Sequence, residues 1–144
     1  EENHLRWDSL GEFLAISVAL ENIGKTNLKS KILSENLSKA IEKLLLNEKS
    51  PSRKVGEIDN RGSHFYLALY WAEYLSIQNE NMDLKEEFEK IYDQLSKKEN
   101  LIIDEINSTQ GIKVNLEGYF NLKDEITEQI MRPSKSFNMI IDNI

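Results

Sequence analysis

Apolar residues recur at helical spacing along most of the chain, with few β-branched runs and only 6 Gly and 2 Pro to interrupt them. The pattern predicts a mainly α protein without an internal repeat of fixed period. Ser9-Leu10-Gly11-Glu12 fits a capping box, in which a hydroxyl and a carboxylate satisfy free amides at a helix start, so the first helix begins near Ser9. Gly24 is placed to end it as the left-handed residue that commonly follows a helix. A second helix runs from about Asn27 to Leu46, with Leu28, Ile32, Leu37, Ile41 and Leu44 or Leu45 on one face. A third spans about Ser63 to Gln78, where Glu73 carries the one acidic or basic charge.

That third helix is apolar on nearly every side, and so is the stretch from Phe13 to Leu20. Both demand neighbours on nearly every side. Because a chain of 144 residues buries only about 68–70% of its unfolded surface, the expectation is that it packs against more protein. From Met82 to about Gln110 the pattern is helical again, bending or dividing at Lys97-Lys98-Glu99-Asn100. Residues 111–119 alternate apolar and polar, which suits one short strand near 112–119 or an extended connection. A short helix near Leu122 to Met131 must stop around Arg132, since Pro133 disfavours helical geometry in the residue before it. Ser134 then caps a final helix containing Phe137, Ile140 and Ile141.

Composition narrows the function classes. Against 18 Lys plus Arg stand 25 Asp plus Glu, a net charge of −7, which repels a phosphate backbone and argues against nucleic acid as a partner. A small anion held by a few local cations remains allowed. The absence of cysteine excludes disulfides, thiolate nucleophiles and Cys-based metal sites, and two histidines cannot form a three-histidine site. The longest apolar stretch, Phe13 to Leu20 broken by Ser17, is far shorter than the roughly 20 residues that cross a bilayer. The sequence therefore predicts no signal peptide, no membrane span and a cytoplasmic setting.

Two segments combine cations with backbone donors. Asn3-His4-Leu5-Arg6-Trp7-Asp8-Ser9 delivers Arg6 and Asp8 to a capped helix start, where unpaired amides favour an anion and Arg adds a planar fork. In the loop Asn47 to Ser63, Ser50-Pro51-Ser52-Arg53-Lys54 offers two hydroxyls and adjacent cations on a Pro-stiffened turn. Neither pattern is specific, because an arginine in a polar loop is usually solvated or weakly paired. Trp7 reads more naturally as a hydrophobic staple or core residue than as a platform for adenine. Ser63, His64 and Asp59 lie too close in sequence to face one another as a triad, and read as caps and turns. Glu57 and Asp59 read as a solvated loop pair. No glycine-rich phosphate loop, metal-ligand spacing or catalytic machinery is visible.

The run from Glu1 to Ala15, the run Lys49-Ser50-Pro51-Ser52-Arg53-Lys54-Val55-Gly56-Glu57-Ile58-Asp59-Asn60-Arg61-Gly62-Ser63-His64-Phe65, and Met131-Arg132-Pro133-Ser134 with Phe137-Asn138 resemble the C-terminal part of monomeric NADP-dependent isocitrate dehydrogenase. The matching runs keep the same order and span essentially the whole chain. The resemblance implies an enzyme that converts isocitrate to 2-oxoglutarate and carbon dioxide in the tricarboxylic acid cycle, using NADP and Mg or Mn. It implies a two-domain α/β dehydrogenase several times longer, of which residues 1–144 form the helical C-terminal part of the smaller, discontinuous, coenzyme-binding domain. Its partner would be the remainder of the same polypeptide, with the catalytic domain, the metal ligands, the isocitrate-binding residues and a further coenzyme histidine all upstream. These residues alone would not catalyse. The coenzyme contacts carry over to Arg6, Asp8 and Arg53, with Arg61 the alternative loop arginine. Arg6 and Arg53 would grip the 2′-phosphate of NADP, and Asp8 would accept from ribose or adenine. The rival reading is a noncatalytic helical interaction module docking through its apolar helices.

Overall fold

The structure is a computed structural model that describes residues 9–52, 54, 56–110 and 132–144, with side chains of the first helix from Phe13 onward. Among these residues it is all helix and connection: α1 Ser9–Gly24, α2 Leu28–Leu46, α3 Asn60–Ile77, α4 Met82–Lys97, α5 Glu99–Asn107 and α6 Lys135–Asp142. The mainly α expectation holds. The strand near 112–119, the helix near Leu122 to Met131 and the Ser9/Glu12 side-chain pairing lie outside the described residues.

Helix α3 forms the centre, with α2 and α4 along its flanks, α1 on α2, and α5 and α6 closing the remaining sides. Its apolar positions explain this placement: Phe65, Leu67, Leu69, Tyr70, Ala72 and Leu75 point in several directions and all are buried. Most of the neighbours that α3 demands are therefore supplied by this chain itself. The demand of α1 is not met in the same way. Phe13, Ser17, Leu20 and Gly24 recur at helical spacing as its less exposed positions, while Leu14, Ile16, Val18 and Ile23 stay about half exposed.

Gly24 ends α1 as expected, but for a different reason. It does not adopt positive φ; instead a Cβ there would come within 2.9 Å of the Lys31 Cα, so its missing side chain lets α1 and α2 approach. Asn27 caps α2 by accepting from the Lys29 and Ser30 amides at 3.0 and 3.3 Å. Ile32, Leu37, Ile41 and Leu44 form its buried face, whereas Leu28 and Leu45 are exposed. Helix α3 starts three residues earlier than the sequence pattern suggests, because Asp59 takes the cap by accepting from the amides of Arg61 at 2.9 Å and Gly62 at 3.2 Å. The division at Lys97–Asn100 is real, with Lys98 (φ −106°, ψ 10°) separating α4 from α5.

Ser134 caps α6 through the Phe137 amide at 3.1 Å. Phe137 stacks edge-on against Phe65, ring centres 5.3 Å apart, and Ile140 is buried while Ile141 remains partly exposed. The cap is tied to α5 by Glu105, which accepts from the Ser134 hydroxyl at 2.6 Å and from the Ser136 amide and hydroxyl at 3.1 and 2.8 Å. Burial alone pushes the Glu105 carboxyl up, but these bonds and the Lys135 charge outweigh it and hold it below its ordinary value. A depressed folded value means this contact contributes fully above the unfolded carboxylate range and is lost as pH falls through the folded value. Hydrogen exchange of the α6 amides is accordingly expected to accelerate on acidification below about pH 4.5. Glu105→Gln is expected to flatten that dependence; an unchanged acid profile in the variant would assign the release to other carboxylates.

Candidate functional site

The loop between α2 and α3 is fastened at both ends. At its entry the Ser63 hydroxyl, fully buried, donates to the Lys49 carbonyl at 2.6 Å. The Lys49 ammonium sits 4.5 Å from the Tyr66 ring centre, a cation–π contact, and the Tyr66 hydroxyl donates to Glu99 at 3.0 Å. Burial, then the Glu99 bond and charge, push the Tyr66 phenol well above its ordinary range, so it remains a neutral donor. Ser63 is thus a strut rather than a nucleophile. His64 makes a 2.6 Å hydrogen bond to the Asn60 carbonyl in the first turn of α3. The caps-and-turns reading of Asp59, Ser63 and His64 is the correct one.

At its exit, Asp59 is 7% exposed, so it does not belong to a solvated pair with Glu57. Besides capping α3 it accepts from Arg61 Nε at 3.1 Å and from the terminal guanidinium nitrogen at 2.5 Å. The other terminal nitrogen of Arg61 donates to the Thr109 hydroxyl at 3.0 Å. Arg61 therefore joins the loop exit to the end of α5, and its fork is engaged within the fold.

Inside the loop, the Ser52 amide donates to the Ile58 carbonyl at 2.7 Å and the Glu57 amide to the Lys54 carbonyl at 3.4 Å. The Ser52 hydroxyl donates to the Glu57 carboxylate and accepts from the Lys54 amide at 3.2 Å. Of the two serines expected to offer donors to an anion, Ser52 instead braces the turn. The Lys54 ammonium projects outward, 81% exposed and 4.0 Å from Glu57, which is loose enough for solvent to screen. Gln110 meets the far limb, accepting from the Gly56 amide and donating to the Glu57 carbonyl, each at 2.6 Å. Tyr66, Glu99, Thr109 and Gln110 were not singled out by the sequence reading, because each acts on the loop from over ten to more than fifty positions away.

Arg6, Asp8, Arg53 and Trp7 lie outside the described residues. The Phe13 ring packs edge-on against His64, centres 4.9 Å apart, so the described part of α1 meets the end of α3 to which Ser63 pins the loop entry. An open groove of about 750 Å³ between the far end of α1 and α2 is lined by Glu21, Lys25, Lys31, Glu35 and Lys39. It mixes both signs of charge and does not touch this junction. Among the described residues no cluster of three or more His, Cys, Asp or Glu could hold a metal ion, and no helix is long and apolar enough to cross a membrane.

The family model of monomeric isocitrate dehydrogenase matches residues 1–142. The chain belongs to the monomeric isocitrate dehydrogenase family. Curated relatives include isocitrate dehydrogenase (NADP) 2 of Psychrobacter sp. strain 13A, 51% identical over all of this chain and 20% of the relative. The protein of the same name from Mycobacterium tuberculosis matches equally, 51% over all of this chain and 20% of its own length. Isocitrate dehydrogenase (NADP) of Azotobacter vinelandii is 49% identical over 96% of this chain and 19% of its own length. The chain thus spans about a fifth of the length of these isocitrate dehydrogenases.

Proposed function

We propose that this chain is the coenzyme-binding C-terminal part of an NADP-dependent isocitrate dehydrogenase of the tricarboxylic acid cycle. It completes a discontinuous smaller domain, and its partner is the remainder of the same cytoplasmic polypeptide. NADP would supply the hydride acceptor for isocitrate, and Mg or Mn, held by residues outside this chain, would supply Lewis-acid chemistry for the decarboxylation. The role of residues 1–144 is to hold the adenosine end. Arg6 and Arg53 bind the 2′-phosphate as planar, permanently charged forks, and Asp8 accepts from ribose or adenine. Arg53 is preferred over Arg61 because the Arg61 guanidinium is already engaged by Asp59 and Thr109.

The observation that carries this reading is the junction at the N-terminal end of α3, where α1 arrives through Phe13 and the loop through Lys49. The described start of α1 and the entry of the α2–α3 loop thereby meet the same end of α3. The half-exposed Leu14 and Val18 on one flank of α1, and Ile16 and Ile23 on the other, support a covering polypeptide, since the described residues leave both flanks open to solvent. The full-length polypeptide is expected to oxidise isocitrate with NADP in the presence of Mg or Mn, and to prefer NADP to NAD. Equal use of the two coenzymes would reject the phosphate-gripping role.

A further inference from the structure

Gln110 lies just past α5, more than fifty positions from the loop it touches. Its side-chain oxygen accepts from the Gly56 amide and its nitrogen donates to the Glu57 carbonyl, each at 2.6 Å, with a further bond to the Asn107 side chain at 3.1 Å. One side-chain amide thus answers a donor and an acceptor on consecutive loop residues, as a neighbouring backbone would. The turn it holds is an unusual one: Gly56 has φ +89°, a left-handed geometry that residues with a Cβ disfavour. From Glu57 the constraint passes to Ser52 through the hydroxyl–carboxylate bond, and from Ser52 to the Lys54 amide. Thr109 beside it takes Arg61, so the end of α5 grips both the loop and the first turn of α3.

We infer that Gln110 is a positioning residue for the phosphate-binding loop, fixing the Gly56–Glu57 turn and, through Glu57, holding Ser52 and the Lys54 amide for the 2′-phosphate. The inference rests on the reading of that limb as the 2′-phosphate site. Preorganisation of this kind raises affinity by removing an ordering cost from the binding step. It predicts an effect confined to the coenzyme that carries the extra phosphate.

The test uses the full-length polypeptide with Gln110→Met, which keeps volume and loses all three side-chain bonds, and Gln110→Glu, which keeps an acceptor for Gly56. Gln110→Met is expected to raise the KM for NADP about tenfold, with kcat and the KM values for NAD and isocitrate within about twofold. Gln110→Glu is expected to weaken NADP at least as much, because it turns an acceptor toward the Glu57 carbonyl and adds a negative charge beside the loop. Unaltered NADP kinetics in both variants, beside a weakened Arg53→Ala, overturns the positioning role and leaves the loop assignment standing. Silence of Arg53→Ala rejects the loop assignment itself. A uniform fall in all constants, or failure of Gln110→Met to fold together with wild-type NADP kinetics in Gln110→Glu, makes Gln110 merely structural and also overturns the inference.

Discussion

Replacing Arg53 by alanine in the full-length polypeptide is expected to raise the KM for NADP by about 10- to 100-fold and to leave the KM for isocitrate nearly unchanged. The magnitude follows from the charge-assisted bonds that a guanidinium makes to a phosphate, each worth about 1.5–3 kcal/mol. NAD has no 2′-phosphate, so its kinetics should barely move and the NADP/NAD preference should narrow by nearly the same factor. Arg53→Lys keeps the charge without the planar fork and should fall in between. Arg61→Ala provides the contrast. Because Arg61 is tied to Asp59 and Thr109, its loss should lower stability and impair both coenzymes alike. NADP constants that stay at their parental values in Arg53→Ala would remove the phosphate-binding role, whatever the family assignment.

Helix positions and the inward faces of most helices followed from periodicity, because burial repeats at the helical period and caps lie next to the turns they close. Ser134 and Ile140 are where that reading placed them. It failed where tertiary contacts override local signals. Ser63 looked like a helix start, yet its hydroxyl is drawn to Lys49 and the cap falls to Asp59. Asp59 looked solvated beside Glu57, yet its cap on α3 and its bonds to Arg61, two residues on, leave it buried. For the candidate site, sequence marked the loop by its composition and its family resemblance. The residues that shape it come from α3 and from both ends of α5, and their spacing in the chain carries no periodic signal. The noncatalytic docking reading drew on two apolar helices. Of those two helices, α1 keeps half-exposed apolar side chains among the described residues, whereas most of α3 is enclosed by its own chain.

Loss of the Asp59 carboxylate should be the most damaging single change at the junction, with Asp59→Ala costing about 3–5 kcal/mol of stability. Two effects act together. The amides of Arg61 and Gly62 lose their acceptor, which is worth about 1 kcal/mol at a helix cap. The Arg61 guanidinium, whose side chain is only 17% exposed, loses the Asp59 charge while remaining partly enclosed. Asp59→Asn separates the two, since its side-chain oxygen can still cap α3 while the charge is gone, so it should cost less than alanine. Arg61→Met removes the cation instead, and the double variant Asp59→Ala/Arg61→Met should cost clearly less than the sum of the single changes, because the residual charge is then absent. Urea titration measures the totals, and hydrogen exchange at the first turn of α3 localises them. Strict additivity, or a loss below about 1 kcal/mol in Asp59→Ala, would show that solvent already screens the pair and that the loop exit is held by other contacts.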